Sequence, residues 1–360
     1  MSGNASKPRG IVLVLGGGVA GLAATRALTD KGVQVKLVER AHRLGGRVEE
    51  ASSVFPSMAK GHDVIEELKR GSEGNGLVEM LMGAELSFVR SEDRGFEAEV
   101  QLGSKGEKDA CLQRMAVHAD AIIIATGLEP VDASLIPELG YPRLRNVVLS
   151  TTFDRLLTQA SLLRPSDGGK VSAVAFVQCV GSRVERRGVP YCSAVCCMNA
   201  IKSAIAVKEM DNAIDAFVLY IDVRTHGKGY EALYKKARER GVKFIRGQPS
   251  MVLRIPRSER LHVMGENTLL KELYEIPVDL VVLSIGLRQR QDNLELFNML
   301  DLRLDNDGLV GEGTGLGSVH TSVPGVFVAG CAEAPKDVRD SIAQGEAAAM
   351  AALSFISKEV

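Results

Sequence analysis

The chain has 360 residues, 45% hydrophobic and 25% charged. That length outgrows one ordinary core, and the composition is normal for a globular protein. Lys and Arg total 44 against 45 Asp and Glu, a net charge of −1, which leaves no electrostatic footprint for nucleic acid. The longest apolar runs, from Ala121 and from Leu280, fall far short of the about 20 residues that cross a bilayer. The polar start MSGNASKPRG lacks the apolar middle of a secretory signal. The expected location is therefore the cytoplasm, where cysteines read as reduced thiols, metal ligands or redox groups rather than structural disulfides.

The first predicted element is a strand at Ile11–Leu15, a continuous apolar run rich in β-branched residues, as in a strand buried on both faces. Gly16-x-Gly18-x-x-Gly21 follows at once, then a helix through LAATRAL, then an alternating strand at 33–39 closed by Glu39. In this order the glycines have distinct duties. Gly16 permits the tight turn, Gly18 lets a pyrophosphate approach the backbone, and Gly21 packs helix on strand. The helix N-terminus offers free N–H groups and partial positive charge to phosphates, and Glu39 is placed to accept from a ribose hydroxyl. An acid there, rather than an arginine, disfavours a 2′-phosphate and hence NADP.

Beyond Glu39 come Arg40 and the triplet Gly45-Gly46-Arg47. A surface helix is predicted at 63–71. A buried strand in ADAIIIATGLEP ends at Ala125-Thr126-Gly127, and GVFVAGCAEAPKDVRDSIAQGEAAAMAA, from Gly325, reads as a closing strand and helix. Together these segments resemble the FAD domain of the two-dinucleotide-domain flavoproteins. The resemblance implies an α/β fold, a Rossmann-like FAD domain with an inserted second α/β domain. It also implies that FAD is held by Gly16, Gly18, Val19, Ala20, Gly21, Glu39 and Arg40, by Gly45, Gly46 and Arg47, and by the turns at Ala125, Thr126, Gly127 and Gly286. The closing segment adds Gly330, Cys331, Lys336 and Asp337. Cys331 stands where that family often carries an aspartate, with Asp337 the nearest acid. The expected division is a discontinuous FAD domain of residues 1–155 and 265–360 around an insert of 165–265. LRPSDGGK, 163–170, is read as the linker, and IPVDLVVLSIGL, from Ile276, as the return to the FAD domain.

The insert begins with a strand at 171–178, where a second nucleotide-binding unit would start. No second G-x-G-x-x-G follows; only Gly181 lies near the turn, so a pyrophosphate would meet side chains. The nicotinamide site is therefore expected to be lost. Four cysteines occupy that corner instead: Cys179 after the strand, then Cys192, Cys196 and Cys197 before a helix through MNAIKSAIAVKEM. The spacing C-x12-C-x3-C-C suits iron–sulfur ligation. Zinc, a redox disulfide and inert buried thiols remain the alternatives; structural zinc more often uses C-x2-4-C knuckles and redox pairs C-x-x-C. Positions 192 and 196 share a face if both are helical. Cys196 and Cys197 face one centre only if the helix begins near them. Arg183, Arg186, Arg187 and Lys202 are candidates for charge compensation. None of the six histidines pairs with a cysteine at metal-ligand spacing, and Cys111 and Cys331 read as small buried side chains.

The block QCVGSR…PYCSAVCCMNAIKSA, with RTHGKGYEALYKKARERGVKFIRG from Arg224 and the segment from Ala329, resembles the A-subunit family of heterodisulfide reductase, whose members are flavin and iron–sulfur proteins. The resemblance covers nearly the whole chain. It implies that Cys179, Cys192, Cys196 and Cys197 hold one 4Fe–4S cluster beside FAD, in a subunit that relays electrons between them. It further implies partner subunits of a heterodisulfide-reductase-like complex, a homodimer, and a role in sulfur-compound oxidation. The chain has no C-x2-C-x2-C-x3-C run of the longer forms and is similar to the short subunit of the sulfur-oxidising complex. Two other functions are weighed against this one. The first is an NAD(P)H-dependent FAD disulfide reductase, which expects a C-x4-C pair after Gly46 that is absent. The second is a non-catalytic scaffold with a structural zinc.

Overall fold

The run Ile11–Leu15 forms the predicted strand, and its alternating side chains divide two cores. Val12 and Val14 pack with the helices Val19–Thr29 and Val338–Lys358. Leu13 and Leu15 pack with the helix Gln291–Met299 and a three-stranded antiparallel sheet of Ala84–Ser91, Phe96–Leu102 and Gln113–Ala119. The strand is central in a five-stranded parallel sheet ordered Val326–Val328, Ala121–Ile124, Ile11–Leu15, Gln34–Glu39, Val78–Met82. Its central strands are thus covered on both faces, which is why the runs are apolar without a polar alternate.

This computed structural model describes residues 9–103, 113–256, 258–311 and 319–358; Cys111 lies outside the described residues. The chain forms two units. The first takes the described parts of Met1–Glu49, His62–Glu129 and Gln289–Val360, and the second Glu50–Gly61 and Pro130–Arg288. The second unit has its own parallel sheet, ordered Lys243–Arg246, Asp215–Tyr220, Ala173–Val180, Leu280–Ile285, Val147–Leu149. Its three-stranded antiparallel sheet is Pro249–Arg254, Leu261–Asn267 and Glu272–Val278. Val174 and Phe176 face a core with the helices Cys196–Met210 and Tyr230–Glu239, while Ala173, Ala175 and Val177 face the antiparallel sheet.

The two units repeat one plan down to its fastening. In the first, Ile11 N donates to Asp120 Oδ2 at 2.7 Å and Asp120 N donates to Ile11 O at 2.8 Å. In the second, Ala173 N donates to Asp279 Oδ2 at 3.1 Å and Asp279 N to Ala173 O at 2.9 Å. Each aspartate immediately precedes an apolar strand, Ala121–Ile124 or Leu280–Ile285, and clamps it to the start of the central one.

The second unit is larger than expected. The anticipated boundaries at 155 and 265 fall inside it, because the strands Val147–Leu149 and Leu280–Ile285 pair with each other in its sheet. IPVDLVVLSIGL is therefore not a return to the first unit. A strand apolar on both faces carries no mark of which parallel sheet it joins; pairing decides that. LRPSDGGK is no linker between units either. Leu163 bridges Lys170, Arg164 N donates to Gly169 O at 2.8 Å, and the Arg164 guanidinium reaches Asp279 at 3.1 Å. The surface helix is Gly61–Lys69. Among the described residues no helix is long and apolar enough to cross a membrane.

Candidate functional site

In the first unit the glycine turn meets its neighbours closely. Gly16 has φ +105° and a Cβ there would lie 2.5 Å from Ala125 O; a Cβ on Gly21 would lie 1.8 Å from Gly16 O. Gly18 differs. A Cβ on it would have no protein atom within 4 Å, so the space beside this backbone is left open. Gly18 is the N-cap of Val19–Thr29 and offers no side-chain cap, and the first turn has no acid. The N–H groups at Val19 and Ala20 therefore keep the partial positive charge of a helix start.

Glu39 stands at the rim of this opening. Its Oε2 accepts from Gly17 N at 2.7 Å and its Oε1 from Ala41 N at 2.8 Å, and each oxygen keeps a second acceptor site. Gly45 N donates to Gly17 O at 2.8 Å, laying the Gly45-Gly46 loop against the turn, with Gly46 and Arg47 exposed. A cavity of about 650 Å³ is lined by Gly16, Val38, Glu39, Arg40, Thr126 and Asn293, among others. Thr126 Oγ1 is buried there with no partner. The open space over Gly18, the fixed carboxylate and the orphaned hydroxyl fit the nucleotide and ribose parts of FAD.

Several expected FAD contacts have other duties. Gly330, at φ +65°, donates to Gln344 Oε1 at 2.8 Å, and a Cβ on it would lie 2.6 Å from Ala20 Cβ. The Lys336 ammonium bonds Gly330 O, Ala334 O and Glu333 Oε2, each at 2.7 Å; all three of its donors hold the loop. Cys331 Sγ donates to Lys336 O at 3.3 Å. Asp337 Oδ1 accepts from Asp340 N at 2.9 Å, capping Val338–Lys358. Gly286 lies in the second unit, where a Cβ would come 2.6 Å from Gly181 O. It is a close-approach point of the cysteine loop rather than a lining residue of this cavity. Asn293, whose Nδ2 donates to Gly127 O at 2.7 Å, is absent from the expected contacts; a lone asparagine on a distant helix has no motif to announce it.

In the second unit the register of the central strands sets Gln178 and Cys179 where the first unit has Gly16 and Gly17. The pairing with Leu280–Ile285 shifts between Val177 and Val180. Cys179 lies in this irregularity at φ 57°, a left-handed backbone without the excuse of glycine. Arg183 and Ala194 share that conformation, at φ 63° and 58°. The segment 181–191 is tied back on itself: Val189 N donates to Gly181 O, Arg183 N to Tyr191 O, and Ser182 Oγ to Tyr191 O. Ser193 Oγ then donates to Ser182 Oγ at 3.2 Å and accepts from Leu287 N at 3.0 Å. The loop so fastened returns Cys192 to the end of the strand.

The helix begins at Cys196 and ends at Met210, its N-cap Val195 giving no side-chain bond. The condition for Cys196 and Cys197 to serve one centre is therefore met. Cys192 lies outside the helix, so the shared-face argument for 192 and 196 does not apply; its Sγ accepts from Ala194 N at 3.4 Å. Burial pushes the Cys179 thiol up to about 11, and Cys197 and Cys192 add to the shift. Burial raises Cys196 too, with Cys179, Cys197 and Cys192 contributing, and it raises Cys197. Four sulfurs that influence one another in this way occupy one neighbourhood.

The thiols do not point at a common centre. Cys196 Sγ donates to Ile285 O at 3.9 Å and Cys197 Sγ to Asp222 O at 3.6 Å. Among the described residues, no group of three or more His, Cys, Asp or Glu is arranged to hold a metal ion. The donor set and the uncapped helix start fit a thiolate-ligated centre; the side-chain rotamers are those of protonated thiols bonded to carbonyls. Of the expected cations, Arg183 neighbours Cys179 and also bonds Asp222 at 2.8 Å. Arg187 bonds Glu138, and buried Lys202 bonds Asp154 Oδ1 at 3.0 Å and Ser53 O at 2.7 Å, so neither is directed to the sulfurs.

Residues 11–164 match the family model described as pyridine nucleotide-disulphide oxidoreductase. Thioredoxin reductase of Lactococcus lactis superposes with a TM-score of 0.65 at 17% identity, over 97% of this chain and 99% of that one. Fold and site thus define an oxidoreductase of the class built on two dinucleotide-domain units. Among curated proteins the chain is 32% identical to the iron-sulfur A-subunit of the CoB–CoM heterodisulfide reductase of Methanocaldococcus jannaschii, over 94% of this chain and 63% of that protein. It is 33% identical to the A-subunit of the H2:CoB-CoM heterodisulfide,ferredoxin reductase of Methanothermobacter marburgensis, over 97% and 64%. The chain is a relative of these heterodisulfide reductase A-subunits and spans just under two thirds of their length.

Proposed function

We propose that the chain is a flavin and iron–sulfur electron-transfer component of a heterodisulfide-reductase-like assembly. In this reading FAD lies in the cradle of the first unit, and Cys179, Cys192, Cys196 and Cys197 hold one 4Fe–4S cluster in the second. FAD exchanges one or two electrons and such a cluster one at a time, which is the chemistry a relay needs. The observation that carries the reading is the replacement within a repeated plan: where the first unit has a glycine turn and a helix start, the second has four gathered thiols.

The chain's own residues divide the work. Glu39 and Thr126 Oγ1 face the first cavity as acceptor and hydroxyl, and the helix start at Val19 and Ala20 offers N–H groups to phosphate. Arg183 sets positive charge beside Cys179. The rotamers seen here suit a cluster better than a single zinc ion, because a four-iron cluster spreads its ligating sulfurs more widely. The lost second glycine pattern leaves NAD(P)H without a pyrophosphate cradle. Partner subunits, a homodimer, a cytoplasmic location and a part in sulfur-compound oxidation belong to the same proposal.

Anaerobic purification with analysis of flavin, iron, sulfide and zinc tests it. The expected result is one FAD and four irons with matching sulfide per chain. A colourless preparation carrying only zinc would sink the relay and favour a structural scaffold.

A further inference from the structure

Gln178, immediately before Cys179, is fully buried, and neither its Oε1 nor its Nε2 has a partner. On the adjacent strand Ser284 is 3% exposed and its Oγ also lacks a partner. The register pairs Val177 with Leu283, so Gln178 and Ser284 stand side by side. By two-residue alternation both point to the face of Val174, Phe176, Leu280 and Val282. That face is covered by the helix starting at Cys196, and Cys196 Sγ lies 4.0 Å from Ser284 O. Native interiors seldom keep a primary amide and a hydroxyl unsatisfied together, and such groups ask for a missing partner.

We infer that Gln178 Nε2 and Ser284 Oγ donate hydrogen bonds to the sulfur of the four-cysteine centre, as positioning residues that raise its reduction potential. The inference rests on the iron–sulfur reading of that cluster. A one-electron reduction adds negative charge that spreads onto the sulfurs, and N–H and O–H donors aimed at them favour the reduced form.

The test uses the full chain, purified anaerobically with its centre, as wild type, Gln178→Leu and Ser284→Ala. Iron and sulfide content and an EPR-monitored redox titration are measured. Both variants are expected to keep their iron and to have a lower potential. The shift for Gln178→Leu is about tenfold in the reduced-to-oxidised ratio, or about 59 mV for a one-electron couple. Without iron, both variants should melt no lower than wild type, since no bond of the apo chain is lost. Lower melting of the apo variants with unmoved potentials would assign the two residues to packing and overturn the inference. Ser284→Ala removes one hydroxyl and decides the question by itself where Gln178→Leu fails to fold. A wild type that takes up no iron would refute the underlying reading; a loaded wild type with unmoved potentials in both variants would refute this inference alone.

Discussion

Cys179 joins two unfavourable conditions, a left-handed backbone and a buried thiol. The first costs on the order of 1–3 kcal/mol, and such strain persists where the surroundings impose it. The second has a pH consequence with a definite sign. Burial raises the folded pKa from 9.0 to about 11, so the folded apo chain retains its proton better than the unfolded chain. Stability from this group is complete below pH about 9 and is lost as pH rises toward about 11, on the order of 2 kcal/mol. Urea midpoints of the iron-free protein between pH 8 and 11 should fall accordingly, and Cys179→Ser should flatten that fall. A midpoint that rises over this interval would contradict the assigned environment.

At the scale of elements, one aspartate holds the sheet of the second unit together. Asp279 is 2% exposed and accepts from Ser172 N, Ser172 Oγ, Ala173 N and the Arg164 guanidinium. It clamps the strand ahead of the cysteines to Leu280–Ile285, whose carbonyl at Ile285 receives the Cys196 thiol. Asp279→Ala strands a partly buried cation and three donors, and is expected to cost about 3 kcal/mol. Chemical denaturation should show it as a lower midpoint. An effect within about 0.5 kcal/mol, ordinary for a surface change, would mean that the clamp contributes nothing. The helices act through their starts. Val19–Thr29 and Cys196–Met210 both lack a side-chain cap, and each leaves its first N–H groups to whatever occupies the adjoining turn.

The whole molecule is one supersecondary plan used twice, with different occupants at corresponding corners. Each candidate site is built from residues of a single unit, so the two should fail separately. Gly18→Val fills the open space beside the turn and should expel flavin while leaving iron at wild-type stoichiometry. Cys196→Ser should remove the cluster absorption and leave flavin bound. Absorption spectra and iron assays of the two variants check both halves; loss of both cofactors in either variant would show that the sites are not independent.

From the sequence alone came the strand at Ile11–Leu15, the turn at Gly16 to Gly21, the carboxylate of Glu39 and the gathering of four cysteines. These rest on local rules: an apolar run, residues without a Cβ, an acid at a strand end, thiols close in the chain. What lies between the units' sheets in sequence was beyond such rules. The strand Leu280–Ile285 read as part of the flavin unit, yet pairs with Ala173–Val180, since apolar strands are interchangeable until hydrogen bonds choose neighbours. Lys336 and Lys202 are cations at motif positions whose donors go to carbonyls and carboxylates distant in sequence or hidden in a loop. Gln178 and Ser284 did leave a trace, a polar residue inside each buried run. Only the fold put them side by side beneath the cysteine helix, because strands a hundred residues apart meet through tertiary pairing alone.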